Sequence, residues 1–172
     1  IWNWTYVRQL LAELPKLLPG TALWLGGPEV SYDGDRLLAQ YPGLTGIMVG
    51  EGEATFRELA AWYLDSCHGT GEAAAEDSAV KKKRLEDIPG LYLHTGPTPA
   101  RQLLDMSSIP FLYRDLTPFE NRIIYYESSR GCPFSCSYCL SSIDKKLRFR
   151  SLSLVRKELQ FFLDHKVPLV KF

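Results

Sequence analysis

The sequence has little of several features that would assign a protein to a class at once. Its 20 lysines and arginines are balanced by 20 aspartates and glutamates, so the formal net charge is zero. Without an excess of positive charge there is no electrostatic case for binding nucleic acid or an anionic membrane surface. No apolar run reaches the ~18 residues of a membrane span. No basic segment followed by an apolar core marks a signal peptide. We therefore expect neither nucleic acid nor a membrane as partner.

Cysteine is also scarce, and its distribution is uneven. The chain has four cysteines in 172 residues, and three of them, Cys132, Cys136 and Cys139, lie within one short segment. Such grouping does not fit the disulfide framework of a small secreted protein and indicates a reducing compartment. The expected location is therefore the cytoplasm.

The two ends of the sequence are unusual for a complete protein. The chain begins with Ile1 instead of methionine, and a helical pattern of apolar residues starts at Trp4. It stops within a strand-like segment, 167–172. We expect the sequence to be an internal piece of a longer protein, and we expect the piece by itself to be inactive.

The first third of the chain alternates between helical and strand patterns. The apolar spacing and the turn residues predict helices at 4–18, 35–40 and 54–65, with strands at 22–25 and 46–49. Strand, turn and helix repeated in this way predict a parallel sheet with crossover helices. In such sheets ligands bind at the carboxyl ends of the strands.

Two glycine-rich turns occupy those carboxyl ends. The residues of interest in them are Gly26, Gly27, Gly50, Glu51, Gly52 and Glu53. Glycine has no Cβ, so its backbone can approach a ligand closely. The same glycines would also be expected in tight turns that bind no ligand. The turns are therefore candidate binding loops whose role depends on the rest of the chain.

The remaining segments predict a second, smaller set of elements. We divide the chain into 1–66, a linker with a hairpin at 67–118, and 119–172. Within the linker, 88–94 is predicted to be a strand that returns at 100–104. In the last part, the pattern predicts a strand at 123–126, a helix at 151–165 and a strand at 167–172.

The cysteine segment carries the strongest chemical signal. The run Arg130-Gly-Cys-Pro-Phe-Ser-Cys-Ser-Tyr-Cys139 has the spacing C-x₃-C-x₂-C. A structural zinc site takes four protein ligands, and a common [4Fe–4S] cluster takes four cysteines. Three ligands without a nearby fourth indicate a metal centre with an open coordination position. A zinc knuckle or a redox dithiol is the alternative, but His165 and Cys67 lie far from the run in sequence.

This run resembles the signature of the radical S-adenosylmethionine (radical SAM) enzymes. The resemblance implies that Cys132, Cys136 and Cys139 hold three irons of a [4Fe–4S] cluster, whose fourth iron binds SAM. It places Tyr138 against the SAM adenine, and we expect Phe134 to shield the cluster from water. It further implies reductive cleavage of SAM to a 5′-deoxyadenosyl radical, with electrons from a donor such as flavodoxin or ferredoxin.

The glycine turns strengthen this reading. Trp24-Leu-Gly-Gly-Pro-Glu-Val30 and Ile47-Met-Val-Gly-Glu-Gly-Glu53 resemble the last strand–loop units of the B12-binding domain that precedes many radical SAM modules. The resemblance implies that the six turn residues contact cobalamin. The Asp-x-His-x-x-Gly motif, whose histidine can bind cobalt in that family, is absent from this sequence. The sequence therefore does not assign a lower ligand of cobalt.

Together these observations predict an α/β protein of two parts. The first is the C-terminal part of a flavodoxin-like parallel sheet of the B12-binding type. The second is the first β-α-β unit of a partial (β/α)₆ radical SAM barrel. The expected function is cobalamin-dependent methyl transfer or rearrangement on a small or unknown substrate. The alternatives are a radical SAM enzyme without B12 and a non-catalytic iron–sulfur or zinc module.

Overall fold

The computed structural model describes residues 3–68, 84–139 and 146–172; the side chains of 67 and 68 are outside the description. The chain forms two compact units, Ile1–Leu103 and Leu104–Phe172. The hairpin predicted within the linker belongs to the first of these units. The division at 66 and 118 inferred from the sequence stays a prediction about domains of the whole protein.

The first unit contains helices and short strands in alternation. Its elements are α1 (Trp4–Leu17), β1 (Trp24–Gly26), α2 (Gly34–Gln40), β2 (Gly46–Met48), α3 (Gly52–His68), β3 (Leu91–Leu93) and β4 (Gly96–Pro97). The predicted helices and the first two predicted strands are confirmed within a few residues. The apolar periodicity identified the helices because each helix packs one face against the same sheet.

The sheet of the first unit is mixed, with strand order β1-β2-β3-β4. β1 and β2 are parallel, with Gly26 opposite Met48, as the alternation of strand and helix predicted. β3 runs antiparallel to β2, with Tyr92 opposite Ile47. The sheet is therefore parallel at one edge and antiparallel at the other.

The predicted return strand at 100–104 is wrong. The chain turns back at once after β3, and β4 pairs Gly96 with Leu93 and Pro97 with Tyr92. Gly96 has a φ of 112°, a left-handed conformation that glycine adopts without strain and that permits the immediate return. The sequence offered only two residues of strand here, too few to show a period.

Helices cover both faces of this sheet. On one face, Leu11 of α1 and Leu37 of α2 belong to one buried cluster with Ile47 of β2. On the other face, Leu59 of α3 packs with Leu91 and Leu93 of β3. This arrangement makes the unit a three-layer α/β structure and leaves the strand ends, with their turns, at the surface.

The second unit is built around a β-α-β element. Its elements are β5 (Ile124–Tyr125), β6 (Ser129–Arg130), β7 (Arg148–Phe149), α4 (Leu152–Asp164) and β8 (Val170–Lys171). β5 and β8 pair in parallel, with Ile124 opposite Val170, and α4 lies between them in sequence. Ile124 and Phe162 form the centre of its buried cluster. The predicted helix at 151–165 is confirmed.

In the described residues, the helices are all too short or too polar to cross a membrane.

Gly46 provides a test of the close packing in the first unit. A Cβ at Gly46 would lie 2.6 Å from the Trp24 ring and 2.9 Å from the Tyr92 carbonyl oxygen. Because β2 is paired on both sides, it cannot move away. We expect Gly46→Ala to lower the free energy of unfolding by about 1–3 kcal/mol, the usual cost of overpacking. Tryptophan fluorescence during urea unfolding measures this, since all four tryptophans precede residue 103.

Gly52→Ala is the matched control for this variant. A Cβ at Gly52 would have no atom of the described residues within 4 Å, and Gly52 opens α3. This variant should be neutral or slightly stabilising. Equal stability of both alanine variants would contradict the packing that we describe around Gly46.

Candidate cofactor-binding loops

The two glycine turns lie at the carboxyl ends of adjacent parallel strands. Gly26 ends β1 and Gly27 follows it with a φ of 103°, while Gly50 follows β2 with a φ of 73°. Neighbouring strands of a sheet lie about 4.8 Å apart, so the two turns emerge side by side. The structure thus brings together the residues that the sequence analysis placed at the carboxyl ends of the strands.

Both turns face open space. A Cβ built on Gly27, Gly50 or Gly52 would meet no atom of the described residues within 4 Å, whereas one on Gly26 would touch Met48. The backbone at these positions is therefore accessible to a ligand, and side chains there would occupy the space of that ligand. This is the geometry that close approach of a cofactor requires.

The acidic residues of the second turn have different surroundings. Glu51 is half-buried, and Glu53 is exposed in the first turn of α3. A carboxylate in the first turn of a helix interacts favourably with the helix dipole. Glu53 therefore has a structural role that is independent of any ligand, while contact of Glu51 and Glu53 with cobalamin stays a prediction.

Ser31 joins the two turns, and sequence analysis missed it. Its hydroxyl donates to the Gly27 carbonyl oxygen at 2.9 Å and accepts from the Gly50 N–H at 3.2 Å. A serine four residues after a glycine turn is a typical partner for the turn's own backbone. The bond to Gly50, 19 residues away, could not be read from that local pattern.

The cysteine loop connects β6 and β7, two short paired strands of the second unit. β6 and β7 pair antiparallel, with Ser129 opposite Phe149 and Arg130 opposite Arg148, so both ends of the loop are held together. The Arg148 guanidinium also donates to the Leu104 carbonyl oxygen at 2.7 Å. This ladder was absent from the sequence prediction. Residues 140–145 of the loop lie outside the described residues.

The three cysteines are thiols that solvent can reach. Cys132 is half-buried, and Cys136 and Cys139 are exposed. The Cys139 N–H donates to the Cys136 carbonyl oxygen at 3.2 Å, which forms a tight turn around Tyr138. The turn therefore brings the backbones of two candidate ligands, Cys136 and Cys139, close together in one loop.

The three cysteines are the candidate metal ligands of this loop. Within the described ranges, no three Cys, His, Asp or Glu side chains are placed to hold one metal ion. A [4Fe–4S] cluster does not require its ligands to converge on one atom, because each cysteine binds a different iron. Three accessible thiols on one loop meet the chemical demand of such a cluster.

The two aromatic residues of the loop are strongly exposed. Tyr138 is 91% and Phe134 is 68% exposed, values that are unusual for aromatic side chains in a folded protein. Both rings are therefore available to cover a bound group. Their contacts with adenine and with a cluster stay predictions.

Arg130, beside the first cysteine, forms a two-bond ion pair. Its guanidinium donates to both carboxylate oxygens of Glu127, at 2.9 and 2.8 Å. The structure therefore shows Arg130 in a salt bridge with Glu127. This pair stiffens the segment between β5 and the cysteines.

A buried polar network anchors the far end of the cysteine loop. Arg150 follows β7, and Arg150 and Glu158 are only 7% and 5% exposed. The Arg150 guanidinium donates to both Glu158 carboxylate oxygens and to the carbonyl oxygens of Met106 and Ile109. The Tyr126 hydroxyl donates to Glu158 at 2.6 Å.

The network fixes the protonation of its members. Burial raises the pKa of Glu158, but hydrogen bonds from Arg150 and Tyr126 outweigh burial and hold that pKa below its ordinary value. Burial, followed by the hydrogen bond to Glu158, raises the pKa of Tyr126 well above its ordinary value. The carboxylate is therefore charged and the phenol neutral at physiological pH.

Comparisons with known proteins identify the relatives of the chain. No protein-family model matches it. It is 26% identical, over 97% of its length, to the 2-(S-pantetheinyl)-carbapenam-3-carboxylate methyltransferase of Streptantibioticus cattleyicolor. It is equally identical, over the same share, to the cobalamin-dependent radical SAM methyltransferase TokK of Streptomyces tokunonensis. In both cases the chain spans 25% of the relative.

A solved structure shares the fold. The cobalamin-dependent S-adenosylmethionine radical enzyme OxsB, with aqua-cobalamin and S-adenosylmethionine bound, matches 95% of this chain and 21% of its own with a TM-score of 0.62. The sequences are 17% identical, so this likeness shows the fold alone. The chain is thus similar to a protein named as a cobalamin-dependent radical SAM methyltransferase, which agrees with the resemblance to B12-dependent radical SAM enzymes that its cysteine run and glycine turns carry.

The buried ion pair gives a pH-dependent prediction. Glu158→Gln should lower the stability of the second unit by about 3 kcal/mol at pH 7, because it leaves the charge of Arg150 buried without its counter-ion. The folded-state pKa of Glu158 lies below its unfolded value, so the carboxylate stabilises above that value and loses its contribution as pH falls through the folded pKa. The difference between the two proteins should therefore shrink below about pH 4.

Amide hydrogen exchange of α4 in urea reports this stability, since the second unit has no tryptophan. Asp164→Asn is the control, because Asp164 is exposed on the same helix and accepts a hydrogen bond from the Gln160 amide at 2.8 Å, whose loss should cost about 1 kcal/mol or less. A Glu158→Gln effect no larger than this control, or one that is constant with pH, would refute the role of the buried pair.

Proposed function

Starting from this kinship, we propose that the chain belongs to a radical SAM enzyme that uses cobalamin. The observation that carries the proposal is the cysteine loop, with three accessible thiols whose loop ends are paired by β6 and β7. The first unit would be the end of a flavodoxin-like B12-binding domain. The second would be the start of a (β/α)₆ barrel, because β5, α4 and β8 form a β-α-β unit with parallel strands.

The loop's own residues would act in three ways. Cys132, Cys136 and Cys139 would bind the cluster as thiolates, and SAM would bind at the coordination position that the three thiolates leave open. Tyr138, fixed between two cysteines by the Cys139–Cys136 turn, lies against the adenine. Phe134 excludes water. When bound, the cluster supplies the single electron that cleaves the SAM sulfonium bond to give a 5′-deoxyadenosyl radical.

The first unit would hold cobalamin at the open edge of its sheet. Gly26, Gly27, Gly50 and Gly52 let the backbone approach the cofactor, and the absence of any described atom near three of them supports this. Glu51 and Glu53 flank it. When bound, cobalamin supplies a carrier for methyl groups, while the protein binds and orients it.

Methyl transfer is the reaction that the relatives favour. Both curated relatives that match nearly the whole chain carry methyltransferase names. A small-molecule substrate is in keeping with the carbapenam carboxylate in the first name. A flavodoxin or ferredoxin would supply electrons in a reducing, cytoplasmic environment that keeps the thiols reduced.

Of the two alternatives, a radical SAM enzyme without B12 differs only in the first unit. The other alternative is a non-catalytic iron–sulfur or zinc module, which would not respond to SAM. Two experiments separate these possibilities, one for each cofactor.

The first experiment concerns iron. Full-length protein reconstituted without oxygen should contain about four irons per chain and show a broad absorbance that SAM perturbs. Cys136→Ala should abolish this absorbance, because one of three thiolates is lost. Cys67→Ala is the control and should bind iron normally, since Cys67 lies far upstream in sequence. One zinc per chain without iron uptake would exclude the cluster.

The second experiment concerns cobalamin. Full-length protein should bind hydroxocobalamin and show corrinoid absorption. Gly27→Val should weaken this binding at least about tenfold, because its side chain would enter the open space above the turn.

Gly20→Val separates that effect from backbone strain. Gly20 has a φ of 86°, with open space around it, but it follows α1 and not a strand. Both valines strain a left-handed backbone, so both should lower stability, while Gly20→Val should leave affinity unchanged. Unchanged affinity in Gly27→Val would return Gly27 to a plain turn role.

A further inference from the structure

Ser31 occupies a position that neither strand pairing nor the hydrophobic core explains. It follows β1 in the chain, and its hydroxyl meets the backbone of both glycine turns: the Gly27 carbonyl oxygen at 2.9 Å and the Gly50 N–H at 3.2 Å. The side chain is half-buried. It therefore links two loops that are 19 residues apart in sequence.

The direction of the two hydrogen bonds is fixed by chemistry. A carbonyl oxygen can only accept and an amide N–H can only donate, so the hydroxyl must donate to Gly27 and accept from Gly50. A hydroxyl has one donor and two acceptor positions and can do both at once. The Val30 N–H also donates to the Gly27 carbonyl oxygen, at 3.3 Å, which fixes this turn further.

The Ser31 hydroxyl links the two turns just beyond the last paired residues of β1 and β2. The ladder between β1 and β2 ends with Gly26 opposite Met48. Beyond this pair, Gly27 and Gly50 both adopt left-handed φ values. Glycine loses more conformational freedom on ordering than any other residue, so a bond that links the two turns restricts backbone that would otherwise be freer than the strands.

We infer that Ser31 is a positioning residue of the cobalamin site, whose hydroxyl holds the two glycine turns at the separation that the cofactor requires. The inference rests on the proposed function of these turns. Ser31 acts through the backbone of Gly27 and Gly50 and fixes both turns before the cofactor arrives. A binding surface that is already ordered loses less entropy on association, so the bridge increases affinity.

The same pair of strands contains a matched control at its other end. The Thr45 hydroxyl accepts from the Leu23 N–H at 3.0 Å, and the Thr45 N–H donates to the Leu23 carbonyl oxygen at 2.8 Å. This is also a hydroxyl bond between the segments of β1 and β2. Leu23 and Thr45 precede the two strands, so this bond lies at the amino ends of β1 and β2, opposite the glycine turns.

The experiment compares Ser31→Ala, Ser31→Thr and Thr45→Val in full-length protein. Hydroxocobalamin affinity is measured by absorbance titration, and exchange of the Gly50 amide hydrogen is measured without cobalamin. Ser31→Ala should weaken binding about tenfold, as expected for loss of the hydroxyl and the two hydrogen bonds that link the turns, and should speed Gly50 exchange. Ser31→Thr keeps the hydroxyl and should restore both values. Thr45→Val should leave cobalamin affinity and Gly50 exchange unchanged.

The outcomes separate the inference from the function it rests on. If the natural protein binds hydroxocobalamin and Ser31→Ala binds it equally well, the bridge has no positioning role and the cofactor proposal stands. Equal weakening by Thr45→Val would show a general effect of stability and would also overturn the inference. If the natural protein binds no hydroxocobalamin, the cofactor proposal and the inference both fail.

Discussion

A loop that keeps its side chains open to a ligand cannot stabilise itself by burying them, and this constraint governs the second unit. The cysteine loop exposes Cys136, Tyr138 and Phe134, so burial contributes little there. Its ends are held instead, by the β6–β7 ladder and by the buried pair of Arg150 and Glu158. Because Glu158 lies on α4 and also accepts from Tyr126, next to β5, one ion pair joins the loop to both its helix and its strand.

The first unit also has exposed loops, but weaker interactions fix them. Its open loops follow β1 and β2, which are already paired, so only the last few residues need support. The neutral hydroxyl of Ser31 contributes to that support by linking both turns, beside backbone bonds such as that from the Val30 N–H to Gly27. A buried charge pair tolerates the loss of neither partner, whereas a neutral hydroxyl bond contributes about 1 kcal/mol. The two loops therefore differ in how strongly they are fixed.

Sequence analysis predicted the elements that have a repeating apolar pattern and the segment that has a distinctive chemical signature. The periodic apolar residues of α1 and α4 defined helices, and the cysteine spacing defined a candidate metal loop. It did not predict β6, β7 or the position of β4, because strands of two residues show no alternation. Nor did it predict the bond between Ser31 and Gly50 or the burial of Glu158. Those depend on a partner distant in sequence, and a charged residue on a helix is ordinarily expected in solvent.

The openness of the cysteine turn has a chemical cost. A sulfur that a cofactor can reach is also within reach of peroxide and dioxygen, and exposed thiolates are the cysteines that oxidise first. Cys136 and Cys139 are neighbours across one turn, so a sulfenic acid formed on either has a second thiol close by with which to condense. If the loop binds a cluster as proposed, assembly and oxidative damage would compete for the same sulfur atoms, and the rate of iron delivery would decide which comes first.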